Sequence, residues 1–184
     1  MLMPPRLRKT ALTLHISTSL GWLGAVASFL AVAVAGLTTT DPDRGHALYL
    51  SADLIAWAVI VPLALASFTT GVIQSLGTAW GLIRHWWVIA KIALTIPATG
   101  LLLLHTGPIG QLADPASTAA VATGHLHGLQ VQMVADAVAA ALVLLAATAL
   151  AVFKPRGMTA YGFRRSRPAA TAAVTPMAAS TTAG

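Results

Sequence analysis

Four long apolar runs, at about residues 11–37, 48–73, 86–105 and 130–153, each carry one ionisable residue inside them: His15, Asp53, Lys91 and Asp136 in chain order. About 20 consecutive apolar residues suffice for a membrane-spanning helix. An Asp or Lys at the centre of such a helix costs roughly 2.5–3.5 kcal/mol on insertion scales, so these groups are expected to face a bundle interior. That makes them the first candidates for function. The fold class that follows is all-α: a polytopic membrane protein, a four-transmembrane-helix bundle occupying residues 1–153.

With 57% hydrophobic and 9% charged residues among 184, and a mean hydropathy of +0.77, the chain lacks the polar surface a soluble domain of this size needs. The net charge of +6 does not point to nucleic acid, because the basic residues cluster at helix ends. Arg6, Arg8 and Lys9 precede the first run, and Lys154, Arg156, Arg164, Arg165 and Arg167 follow the last. Of the eleven Lys and Arg residues, nine lie in the N-terminus, the second loop or the C-terminal tail. By the positive-inside bias both termini are cytoplasmic, in contact with the lipid bilayer and its anionic head groups. Ala-rich, Arg-over-Lys usage suggests a high-GC bacterial genome, hence a multi-pass protein of the bacterial cytoplasmic (inner) membrane. The chain has no Cys, which removes disulfides, thiolate metal sites and cysteine nucleophiles together.

Turn composition separates the runs: Thr38 to Gly45, Gly77 to Arg84, and Thr106 to Gly124 with Gly107, Pro108, Gly110 and Pro115. Residues 154–184 form a basic and then uncharged Ala/Thr/Ser/Pro tail, read as disordered. The first run, with Ala33, Val34 and Ala35 in an A-x-A arrangement, has the alternative of being a cleaved signal peptide. Its length, beyond the roughly 7–15 residues of a signal core, favours a retained helix.

His15, Ser19 and Trp22 share one face of the first helix, and Ser17, Gly21, Gly24 and Ser28 form a small-residue ridge suited to close helix approach. Lys91, Thr95, Ala98, Leu102 and His105 make a stripe on the third, with Lys91 near the depth of His15. His15 reads either as a packing residue or as a ligand, and Lys91 as a snorkelling or an inward-facing cation. Toward the outer end, Asp53 and Asp136 lie at similar depth to His105, His125 and His127. That set suits either a divalent metal such as copper or a register-fixing network with Gln130 and Gln132. Pro62 and Pro97 inside the second and third runs each free a backbone carbonyl. No phosphate loop, HExxH or nucleophile elbow is present, so no enzyme class follows. A transport path through four spans would need a homo-oligomer or a membrane partner.

Leu14, His15, Trp22 and Gly24 spell LH-x6-W-x-G. This resembles the opening of an uncharacterised actinobacterial family of four-helix integral membrane proteins, a domain of unknown function. It is also similar to copper-resistance D-type membrane proteins and, more distantly, to HemJ-type protoporphyrinogen oxidases. The stretch Gly71 to Lys91 is most similar to the actinobacterial group, and the likeness spans about residues 10–153. The HemJ-type resemblance implies haem b held in the bundle, with a functionally important first-helix histidine and third-helix lysine at positions matching His15 and Lys91; with haem or a porphyrin bound there, Trp22 would pack on its face. The glycine here stands one position closer to the tryptophan than in that type, and the arginine late in its first helix has no counterpart. Three functions are thereby expected in order: a haem- or porphyrin-binding membrane protein, a structural or accessory membrane subunit without cofactor, and outer-face copper handling.

Overall fold

A computed structural model describes residues 3–77, 85–114, 126–153, 157, 159 and 163. Among these the chain is all-helical. We number the helices α1 (Pro5–Thr38), α2 (Pro42–Leu76), α3 (Trp86–Ala113) and α4 (His127–Phe153). Three of them, α1, α2 and α4, are long and apolar enough to cross a membrane, and α3 contains a shorter apolar stretch, Trp86–Leu101. The outward faces are as apolar as the core: Leu54, Leu104, Leu142 and Phe153 are 66%, 75%, 61% and 82% exposed. In water such faces would aggregate; in hydrocarbon they are the appropriate surface. These features fit a lipid-embedded, multi-pass protein.

The helices overrun the apolar runs because backbone hydrogen bonding, not hydropathy, sets where they stop. α1 starts with Pro5 in its first turn, where a missing N–H costs nothing. Its 34 residues span about 50 Å, well beyond a hydrocarbon core of about 30 Å. The turn expected over Thr38 to Gly45 shrinks to three residues. Asp41 caps α2 by accepting from the backbone N–H groups of Asp43 (3.0 Å) and Arg44 (3.3 Å), and Pro42 fills the first helical position. What read as turn chemistry is a helix start.

The expected third loop is also shortened. α3 continues through Gly107 and Pro108 to Ala113 because its last two turns are anchored: Ile109, Leu112 and Ala113 are 6%, 1% and 6% exposed. Burial of that face outweighs the bond Pro108 removes. In α2, Pro62 follows a π turn over Ala56–Ile60, closed by the Val61 N–H on the Ala56 carbonyl. The proline ring would clash with the carbonyl four residues back, and widening the helix there makes room for it.

The core runs through the middle of the bundle, with Trp22, Val26 and Phe29 of α1 against Ala52, Ala56 and Ile60 of α2 and Met133 and Ala137 of α4. Small side chains at the crossings let backbones approach, which replaces the hydrophobic drive that lipid cannot supply. The tight helix crossing is not at the ridge the sequence suggests. Ser17, Gly24 and Ser28 are exposed, a Cβ on Gly24 would meet nothing within 4 Å, and one on Gly21 would meet only the Leu63 side chain, at 3.4 Å. The close crossing is at Gly36, where a Cβ would sit 2.8 Å from Cε1 of the fully buried Tyr49 ring. The Tyr49 hydroxyl in turn accepts from Gln130 Nε2 of α4 at 2.7 Å, so three helices are fixed by one aromatic residue.

Gly36→Ala is therefore expected to destabilise the protein by about 1–3 kcal/mol through overpacking. Gly24→Ala should be neutral or stabilising by up to roughly 1 kcal/mol, from helix propensity alone. Thermal unfolding in detergent separates the two; equal Tm shifts would refute the Tyr49 contact.

Candidate functional site

The N-terminal ends of α1 and α3 and the C-terminal ends of α2 and α4 surround a cavity of about 460 Å³ whose wall includes His15, Ser19, Trp22, Ser67, Gly71 and Lys91. The face of α1 holding His15, Ser19 and Trp22 points into the bundle as its spacing predicts, and Lys91 meets it across the cavity. Thr95 shares that wall with Lys91, whereas Ala98 faces a second cavity. The side chains of Leu102 and His105 lie outside the described residues.

A polar seam between α1 and α2 positions the imidazole. His15 Nδ1 lies 3.1 Å from the Ser67 carbonyl and 3.2 Å from Thr70 Oγ1. A carbonyl oxygen only accepts, so Nδ1 carries the proton. Thr70 agrees, because its hydroxyl donates to the Ala66 carbonyl at 2.7 Å and keeps its lone pairs for His15. In a neutral imidazole that leaves Nε2 as the unprotonated nitrogen. One turn further, the Ser19 and Ser67 hydroxyls bond at 2.7 Å with Ser67 6% exposed. Gly71 admits the ring, since a Cβ there would lie 3.0 Å from His15 Cε1.

Electrostatically this cavity is one-sided. His15 and Lys91 are its titratable residues, and none of the described residues lining it carries a carboxylate. Two further groups on its wall, Gln74 and Ser75, have Oε1 and Oγ buried without a hydrogen-bond partner. Buried polar atoms in folded proteins are nearly always paired, so these mark hydrogen-bonding capacity left to an occupant or to water. Trp22, Phe68 and Trp87 add aromatic wall. The chamber can therefore take an amphipathic ligand of modest size, acidic at one end, with a nitrogen lone pair available for a metal centre.

The outer residues are placed differently. Asp53 faces α3, its Oδ1 3.9 Å from where a Gly110 Cβ would stand. Asp136 and Gln132 border the second cavity, about 440 Å³, whose wall does not include Asp53. His127 is exposed at the start of α4, and His125 lies outside the described residues. Among the described residues, no group of three His, Cys, Asp or Glu is placed to hold a metal ion. Gln130, grouped with these in the sequence, instead serves Tyr49.

Sequence reasoning missed the α2 side of the site: Ser67, Thr70, Gly71 and Gln74. Their signal is present in retrospect, as a polar stripe spaced three and four apart within an apolar helix. Compared with models of known protein families, with curated proteins and with solved structures, the chain matches none.

The imidazole 15N chemical shifts of His15 are expected to be those of the Nδ1-protonated tautomer. An Nε2-protonated ring would contradict the Ser67 bond. Ser67→Ala keeps that carbonyl and should leave the tautomer unchanged while lowering stability by about 0.6–1.7 kcal/mol, the range for interhelical hydrogen bonds in membranes.

Proposed function

We propose that this chain is a four-span protein of the bacterial inner membrane, with both termini cytoplasmic, whose cavity between His15 and Lys91 binds a tetrapyrrole such as haem b or a porphyrin. The observation that carries the reading is the placement of His15 Nδ1 3.1 Å from the Ser67 carbonyl, which assigns the ring proton to Nδ1. A metal-ligating histidine characteristically donates one ring N–H to a carbonyl and offers the other nitrogen to the metal, which is the arrangement Ser67 imposes on Nδ1. Lys91 supplies the charge that a carboxylate substituent requires, and Trp22 an aromatic wall. When bound, haem supplies one-electron redox chemistry tuned by its axial ligand and by burial. The chain's own part is to hold Nε2 unprotonated, to neutralise acidic substituents through Lys91, and to exclude water with its apolar lining.

A second reading has an observation of its own. His15, Thr18, Ser19, Ser67 and Thr70 form a continuous hydrogen-bonded seam, which is what a structural subunit needs to fix the α1–α2 register. In that case the histidine is an interhelical bond and the cavity holds lipid.

Protein purified from haem-replete cells is expected to show a Soret band that His15→Ala abolishes and Lys91→Ala weakens. Colourless wild-type protein, with His15→Ala lowering only the Tm, supports the structural reading instead. Reporter fusions at both ends should give cytoplasmic signals; opposite sides would remove the four-span topology.

A further inference from the structure

The helices around the His15–Lys91 cavity are unevenly joined. α1 lies along both halves of α2 and is tied to the second half by the bonds of His15 and Ser19 to Ser67 and Thr70. α3 takes its packing chiefly from α4 and from the first half of α2, so beyond the π turn the second half of α2 and the start of α3 diverge. The cavity occupies that wedge, with Phe68 and Val72 of α2 on one flank and Ile92 of α3 on the other. Phe68 is part of the wall and also exposed on the outer surface, and Ile96, one turn beyond Ile92, is exposed too. Leu12, Ile16 and Leu20 give the cavity a second exposed edge on α1, but α1 and α4 pack on each other, whereas among the described residues no comparable packing joins α3 to the second half of α2.

The surface outside this gap is apolar: Leu65, Phe68, Ile73 and Leu76 of α2 and Ile96 of α3 are all exposed. An opening flanked in this way meets acyl chains and not water. The polar groups, His15 and Lys91, are half-buried within the cavity wall. A ligand crossing such a mouth from water would have to shed the hydration of its acid groups before it reached Lys91, at high cost. One already dissolved in the bilayer exchanges hydrocarbon for the aliphatic and aromatic wall, and only its acid group changes partner.

We infer that the cavity is loaded and emptied from within the bilayer, through the gap between Phe68 and Val72 of α2 and Ile92 of α3. The inference rests on the tetrapyrrole reading for its occupant, and it places upstream of this site a reaction that releases an amphipathic tetrapyrrole into the membrane and not into water. Full-length protein free of pigment is reconstituted in phosphatidylcholine vesicles and given protoporphyrin, whose partition into protein-free vesicles is measured separately. Uptake and release by the protein are followed as energy transfer from tryptophan, since Trp22 and Trp87 border the cavity. Val72→Trp is expected to slow uptake and release alike by about tenfold while Kd stays within about twofold, because a narrowed passage raises one barrier for both directions. Phe68→Ala should speed both. Ile92→Cys, in a chain that has no other cysteine, is alkylated with a bulky maleimide after reconstitution and should show the same slowing in protein already folded, which decides the matter if Val72→Trp does not fold. Ile16→Trp, on the α1 edge, should keep wild-type rates, and His15→Ala, inside the site, should hasten release without changing entry. Wild-type rates in alkylated Ile92→Cys, or slowing by Ile16→Trp in its place, would overturn the route and leave the tetrapyrrole reading standing. Wild-type protein with no saturable uptake beyond partition would overturn that reading and the route together.

Discussion

Water is missing from the interior of a bilayer, and that constraint orders the structure more than any single contact. A polar group on these helices must find a partner within the chain or lie along an internal space. The hydroxyls of Thr10, Thr13, Ser28, Ser51 and Thr148 solve the problem locally, each donating to the carbonyl four residues back. Groups too large for that solution must bond between helices. His15 bonds across to Ser67 and Thr70, and Gln130 to Tyr49. These two sets pin the bundle at opposite ends, one between α1 and α2 and the other joining α2 to α4 beside Gly36 of α1.

What was legible in the sequence follows from the same constraint. Apolar run length indicated the apolar helices among the described residues, and the i, i+4, i+7 spacing of His15, Ser19 and Trp22 the face that turns inward. Lys91 and His15 share a cavity, as their matched depths suggest. Helix ends were less legible because hydropathy does not report hydrogen bonding. Asp41-Pro42 looks like a turn until its carboxylate is seen capping two N–H groups, and Pro108 looks like a stop until the burial of Leu112 is counted. The small-residue ridge at Gly21 and Gly24 misled for a related reason: spacing identifies a face but not its partner. Only contact geometry shows that Gly36, outside that ridge, is where an aromatic ring leaves no room for a Cβ.

The α2 half of the candidate site was hidden because its residues are individually ordinary. A serine or threonine in a membrane helix usually bonds its own backbone, as Thr70 does through its hydroxyl proton. Its importance lies in the lone pairs that remain, and these matter only because α1 brings a histidine opposite. The tautomer of His15 is thus a property of the α1–α2 crossing. No one-dimensional motif contains it.

The two cavities divide the bundle by charge. On α1 they are less than two turns apart, with Trp22 bordering the one that holds Lys91 and Val26 and Phe29 the one that holds Asp136. On α3 they occupy different faces, Thr95 and Thr99 toward the first and Pro97 and Leu101 toward the second. A basic and an acidic group brought together here would have formed an ion pair and consumed each other's charge. Among the described residues, neither wall includes the other's titratable groups. A half-buried charge on a helix in hydrocarbon is costly unless dipoles, water or another group meet it. Lys91 and Asp136 thus border separate spaces among the described residues, and the one beside Lys91 is lined in part by Gln74 Oε1 and Ser75 Oγ, which have no hydrogen-bond partner.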